Sequence, residues 1–196
     1  CNHAEDLSIA SIELAAIDEM IENNLNCQQT SSCGRLFDAV AAQLGLCSNI
    51  TYEGQAAIRL ETCAQKWLKH NRHRDPWQIG IRTNSGLLEI ESGALFLQVC
   101  KAMDSGKPAG DVAASFHVSV ANAFGTLAVE ASRKYNINKI GLAGGVLQNS
   151  LMARLLAANL AAHGCGIMLS SEMPAGDGGI SLGQAFWGQR LMATGK

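Results

Sequence analysis

An excess of charge is the first thing this sequence lacks. Fifteen lysines and arginines stand against 17 acidic residues, a net charge of −2 with pI near 6.2. That leaves no basic field for nucleic acid or for an acidic membrane surface. No uninterrupted apolar run approaches the roughly 18 residues of a membrane-spanning helix, and no signal peptide is visible. No Cys-x-x-Cys pair occurs, Cys27 and Cys33 being too far apart, so a zinc site is not expected. Seven cysteines, odd in number and irregular in spacing, point instead to free thiols in a reducing, cytoplasmic setting. Repeats and low-complexity tracts are absent. An initiating methionine is absent too, and the start at Cys1 predicts a piece of a longer protein.

Several nucleotide and hydrolase signatures are also missing. Gly141-Leu-Ala-Gly-Gly does not fit G-x-G-x-x-G, and Gly106-Lys107-Pro108 is no Walker A loop. Neither a G-x-S-x-G elbow nor an H-E-x-x-H helix occurs.

What is present is a globular composition, 47% hydrophobic and 16% charged, over 196 residues. That suffices for one large domain or two small lobes. The chain centres on Lys139-Ile-Gly-Leu-Ala-Gly-Gly-Val-Leu-Gln-Asn149. Ile140 and Leu142 begin a strand, Gly144 and Gly145 make the turn, and Asn149 caps a helix carrying Leu151, Leu155, Leu156 and Leu160 to Gly164. Such a turn offers bare backbone N–H groups and a helix dipole to a phosphate. Pro174-Ala-Gly-Asp-Gly-Gly179 repeats the arrangement with a carboxylate, Asp177, which either caps the last helix or ligates a cation beside phosphate oxygens. The two loops are expected to face each other across one nucleotide and metal cleft.

Around this centre, residues 6–25 predict an amphipathic packing helix and Leu36 to Leu46 a helix striped by Leu36, Phe37, Val40 and Leu44. Asp38, off that stripe, is either a solvated surface residue or an acceptor for a ribose hydroxyl. Gly54 opens a helix over 56–68, serving a positive φ, a close approach to a ligand or plain helix entry. Lys66 to Arg74, with His70 and His73, reads as a solvated helix end and linker. Trp77–Arg82 and Leu87–Glu91 predict a hairpin through Asn84-Ser85-Gly86, and Gly93–Met103 a helix. Asp111 caps a long helix to Tyr135, with His117 at the stripe's edge as a half-buried, satisfied histidine outside the chemistry. Cys165–Ser170 is expected to be a short buried strand, and Ile180–Met192 a final helix.

Four motifs, in order and in register from Thr30 to Trp187, resemble the HypF carbamoyltransferase of nickel–iron hydrogenase maturation. They are Thr30-Ser-Ser-Cys-Gly-Arg-Leu-Phe-Asp-Ala-Val-Ala-Ala41, Tyr52-Glu-Gly-Gln-Ala-Ala57, Gly144-Gly-Val-Leu-Gln-Asn149 and Asp177-Gly-Gly-Ile-Ser-Leu-Gly-Gln184. The likeness is to the C-terminal lobe of its last domain, which is similar to the tRNA threonylcarbamoyl transferase TsaD. It implies an α/β fold of the actin/Hsp70/sugar-kinase kind, ribonuclease H-like with added helices. Residues 1–29 would be a packing region and 30–187 the motif-bearing part.

The resemblance further implies an enzyme that uses carbamoyl phosphate and ATP to form a carbamoyl-adenylate. It would pass the carbamoyl group to the C-terminal cysteine of HypE. Asp38 and Gly54 would contact the adenosine, and Gly144, Gly145 and Asn149 the phosphate and adenosine. Asp177 would hold a divalent metal (Mg, Fe or Zn). No catalytic side chain is assigned, nor any role for the cysteines. The family's other metal ligands, a His-x-x-x-His pair in the preceding lobe, have no counterpart among His3, His70, His73, His117 and His163. The isolated lobe is therefore expected to be half a site. A TsaD-type lobe is the rival reading, disfavoured by Tyr52-Glu53-Gly54-Gln55; a non-catalytic HypE-docking lobe is another.

Overall fold

The computed structural model describes residues 11–71, 76–170 and 172–194. Its helices are α1 (Ser11–Glu22), α2 (Cys33–Gln43), α3 (Gln55–His70), α4 (Ser92–Asp104), α5 (Ala109–Tyr135), α6 (Ser150–Ala162) and α7 (Ile180–Thr194). Its strands are β1 (Ile81–Asn84), β2 (Leu87–Ile90), β3 (Lys139–Leu142) and β4 (Gly166–Leu169). The chain divides into two compact units, Cys1–Arg72 with Ser92–Ala114, and His73–Glu91 with Ser115–Lys196. Residues 6–10 of the expected first helix, together with His3 and His73, lie outside the described residues.

In the first unit, α2 begins three residues earlier than its apolar stripe suggests. The Ser32 hydroxyl accepts the Arg35 N–H at 3.4 Å and so satisfies one of the orphan donors of the first turn. Phe37, Val40 and Leu44 are buried, as their spacing predicts. α2 packs against α3 and α4, whose core residues are Leu60, Ala64, Leu95 and Val99. α1 buries none of its residues, and Ile12, Ala16 and Met20, expected to form its packing stripe, stay at the surface.

In the second unit, β1 and β2 pair antiparallel, Ile81 opposite Ile90 and Asn84 opposite Leu87. The turn residues Ser85 and Gly86 both have positive φ, 48° and 82°, the type I′ geometry whose twist suits a hairpin.

α5 begins at Ala109, not at Asp111. The Pro108 carbonyl accepts from both Asp111 and Val112, which leaves Asp111 in the first turn, where a carboxylate complements the helix dipole. Among the described residues α5 does have the length and apolarity to cross a membrane, against expectation, yet 67% of its most apolar window is buried inside the protein. It is a core helix.

After α5 the chain forms β3, α6 and β4. The strands pair in parallel from Lys139–Gly166 to Leu142–Leu169, and α6 packs on β4. Asn122 accepts from Asn159 at 3.0 Å and His117 meets Asn149, so α5 and α6 run alongside each other in the same direction. β4 was expected to be buried. Met168 and Leu169 are instead exposed, because a two-stranded sheet covers so little of itself.

Candidate functional site

The second unit brings the two glycine loops into contact. Gly144 leaves β3 with φ 112° and ψ 158°, a region essentially restricted to glycine. In that conformation its N–H donates to the Ala175 carbonyl of the second loop at 2.6 Å. On the other side, a Cβ added at Gly176 would stand 2.5 Å from Gln148 Nε2 and 3.4 Å from Gly145 Cα. The loops are therefore adjacent. A short 3₁₀ turn, Gly145–Gln148, carries the chain from Gly144 to Asn149.

Asn149 is the N-cap of α6, as the sequence predicts: its Oδ1 accepts the Met152 N–H at 2.8 Å. The residue is only 8% exposed. Its Nδ2 lies 3.0 Å from His117 Nε2 on α5. His117 is completely buried and edge-on to Phe116, with ring centroids 5.9 Å apart. This corrects the expectation of a half-buried histidine at the edge of the stripe. No sequence signal marks the pair, whose members stand 32 residues apart.

Asp177 opens a second short 3₁₀ turn, Asp177–Gly179, and α7 follows at Ile180. Its side chain is exposed. Among the described residues no three of His, Cys, Asp and Glu gather into a metal-binding group. A lone exposed carboxylate cannot cage a cation, but it suits one ligand position of an ion otherwise held by phosphate oxygens.

Asp38 and Gly54 lie in the first unit. Asp38 is half-buried on α2 and pairs with Arg35 at 2.8 Å, one turn away. Gly54 caps α3 at φ 79°, with nothing within 4 Å of an added Cβ. Its conformation alone thus requires glycine, whatever else it serves. Burial pushes the Cys33 thiol up to about 11 and raises that of Cys63 as well. Neither is a thiolate near neutral pH.

The family described as "Carbamoyltransferase, Kae1-like Domain, second subdomain" matches residues 2–184. The chain is similar to a probable carbamoyltransferase HypF of Methanocaldococcus jannaschii, 32% identical, covering 88% of this chain and 21% of that protein. A carbamoyltransferase HypF homolog of Cupriavidus necator is 34% identical, with 85% of this chain and 42% of that protein covered. In structure, the chain resembles full-length HypF crystallised in a phosphate- and nucleotide-bound form, with TM-score 0.85, 32% identity, and 94% of this chain and 24% of that one covered. T. kodakarensis HypF follows at TM-score 0.79 and 28% identity, with 98% and 24% covered. The actin/Hsp70/sugar-kinase-like α/β lobe expected from the motifs is the fold these neighbours share.

Proposed function

This chain belongs to the HypF carbamoyltransferase family, and we propose that it supplies one side of the nucleotide and metal site of an ATP-dependent carbamoyltransferase. Because it spans between about a fifth and two-fifths of the relatives above, the complete reaction belongs to a longer protein. In that reaction water releases phosphate from carbamoyl phosphate, and the resulting carbamate attacks the α-phosphorus of ATP, expelling pyrophosphate and leaving a carbamoyl-adenylate. The thiolate of HypE's C-terminal cysteine then attacks the carbamoyl carbon, the bond to the AMP phosphate breaks, and a thiocarbamate remains.

An acyl-adenylate is already activated, so the protein has to position it, hold its charge and keep water away. Backbone donors do this better than a side-chain nucleophile. The observation that carries the reading is the contact between the two loops through Gly144 N–H and Ala175 O, 2.6 Å long. It sets the glycine turn and the N-terminus of α6 beside the loop bearing Asp177. The phosphate- and nucleotide-bound state of the HypF neighbour supports the same choice of ligand. Asp177 is the residue that would hold a divalent cation, whose charge would offset that of the phosphates. In the first unit, Asp38 is proposed as acceptor for a ribose hydroxyl and Gly54 as a close backbone approach to the adenosine.

Two measurements test this. Titration calorimetry of the chain with ATP and Mg²⁺ should show binding that Asn149→Ala abolishes; unchanged binding in the variant removes the cleft. The full-length protein should consume ATP when given carbamoyl phosphate and label the terminal cysteine of HypE. Transfer to tRNA instead would reverse the assignment.

A further inference from the structure

We propose that His117 is a positioning residue that fixes the plane of the Asn149 carboxamide and leaves one of its N–H groups for the ligand. This rests on the nucleotide reading of the Gly144–Asn149 loop. A carboxamide has two N–H donors and an oxygen with two lone pairs. Backbone N–H groups only donate, so the bond from Met152 N at 2.8 Å settles which end of Asn149 is oxygen. Nδ2 therefore points at His117 Nε2, 3.0 Å away, and donates to it. That nitrogen must carry the lone pair, which puts the ring proton on Nδ1 and makes the ring neutral.

The two bonds do different work. The bond to Met152 caps α6, but by itself leaves the carboxamide free to pivot about a single contact. The second bond, to a ring with no exposed surface, fixes the plane. One N–H and one lone pair of Asn149 then remain in a set direction, so no freedom has to be lost when a ligand is bound. Sequence reading sets His117 aside because a histidine beside an apolar stripe is usually just satisfied; here its partner is the residue placed in the site.

The test separates capping from positioning. Long-range ¹⁵N–¹H spectra of the full chain should show one histidine ring protonated at Nδ1 and bare at Nε2, the signal that disappears in His117→Gln. Titration with ATP and Mg²⁺ should give a dissociation constant about tenfold weaker for His117→Leu, which leaves an Asn149 N–H unpaired. His117→Gln, whose carbonyl can still accept that N–H, should bind within about twofold of wild type. Both variants should keep the wild-type circular dichroism, since Met152 N still meets Asn149. A proton on Nε2 overturns the proposal, and should His117→Leu not fold, that spectrum decides alone. So does wild-type affinity in His117→Leu where Asn149→Ala has lost binding, an outcome that leaves the loop's nucleotide role standing. Wild-type affinity in Asn149→Ala overturns the nucleotide reading itself, and the positioning role with it.

Discussion

Gly144 and Gly145 are adjacent glycines with different reasons for lacking a side chain. Gly144 sits at φ 112°, where any Cβ is strained, although the space around it is open. Gly145 has neither a positive φ nor any atom within 4 Å of an added Cβ. Fold alone would tolerate alanine there. The remaining reason for glycine is room for something outside the chain, which for this loop would be a phosphate meeting backbone N–H groups. The two substitutions should therefore part company. Gly144→Ala should cost about 1–3 kcal/mol of stability through backbone strain. Gly145→Ala should leave stability within about 0.5 kcal/mol of wild type while weakening ATP binding. Urea unfolding with parallel calorimetry reads both, and a Gly145→Ala variant that binds ATP normally would leave that glycine without a functional reason.

At the scale of elements, several starts and stops were legible from one residue, although the Ser32 cap that starts α2 was not. Asn149 caps α6, Gly164 with φ 76° ends it, and Ser85-Gly86 turns the hairpin. Starts set by a backbone carbonyl were not, as at α5, which begins at Ala109 behind the Pro108 carbonyl. Loops that carry their own glycine and asparagine letters could be recognised as turns. The contact of His117 with Asn149 could not, because its partner stands on another helix and periodicity along α5 is blind to it.

The same blindness hides Gly125, which looks like a helix defect. An added Cβ there would clash with the Asn159 carboxamide, and Asn159 is tied to Asn122. Gly125→Ala should then destabilise by about 1–2 kcal/mol through overpacking, despite alanine's better helix propensity. In an Asn159→Ala background the sign should reverse, to a gain of about 0.5–1 kcal/mol. A double-mutant cycle by chemical unfolding checks this, and a loss in both backgrounds would mean that the contact is not the cause.

On the scale of the whole molecule, the apolar pattern tells which faces want covering but not whether a cover is there. Parallel sheets normally bury both faces, and two strands alone are marginal. Here β3 and β4 leave Met168 and Leu169 at the surface. α7 buries none of its residues: Trp187 is 60% exposed and Met192 81%, beside an exposed Phe186. Its letters predicted a helix correctly, and its exposure could not be read from them. Exposed apolar groups of this size drive association when nothing else covers them, and the full-length HypF neighbour, of which this chain covers 24%, has far more chain to do so. The 196-residue chain on its own should therefore self-associate as its concentration rises. Phe186→Glu combined with Trp187→Lys should return it to a monomer. Because these side chains are mostly solvated here, the melting temperature extrapolated to low concentration should not change. Sedimentation velocity across a concentration series gives the answer. Equal sedimentation of variant and parent would show that α7 is not the sticky face, and a lower melting point would show that it packs more tightly than its exposure indicates.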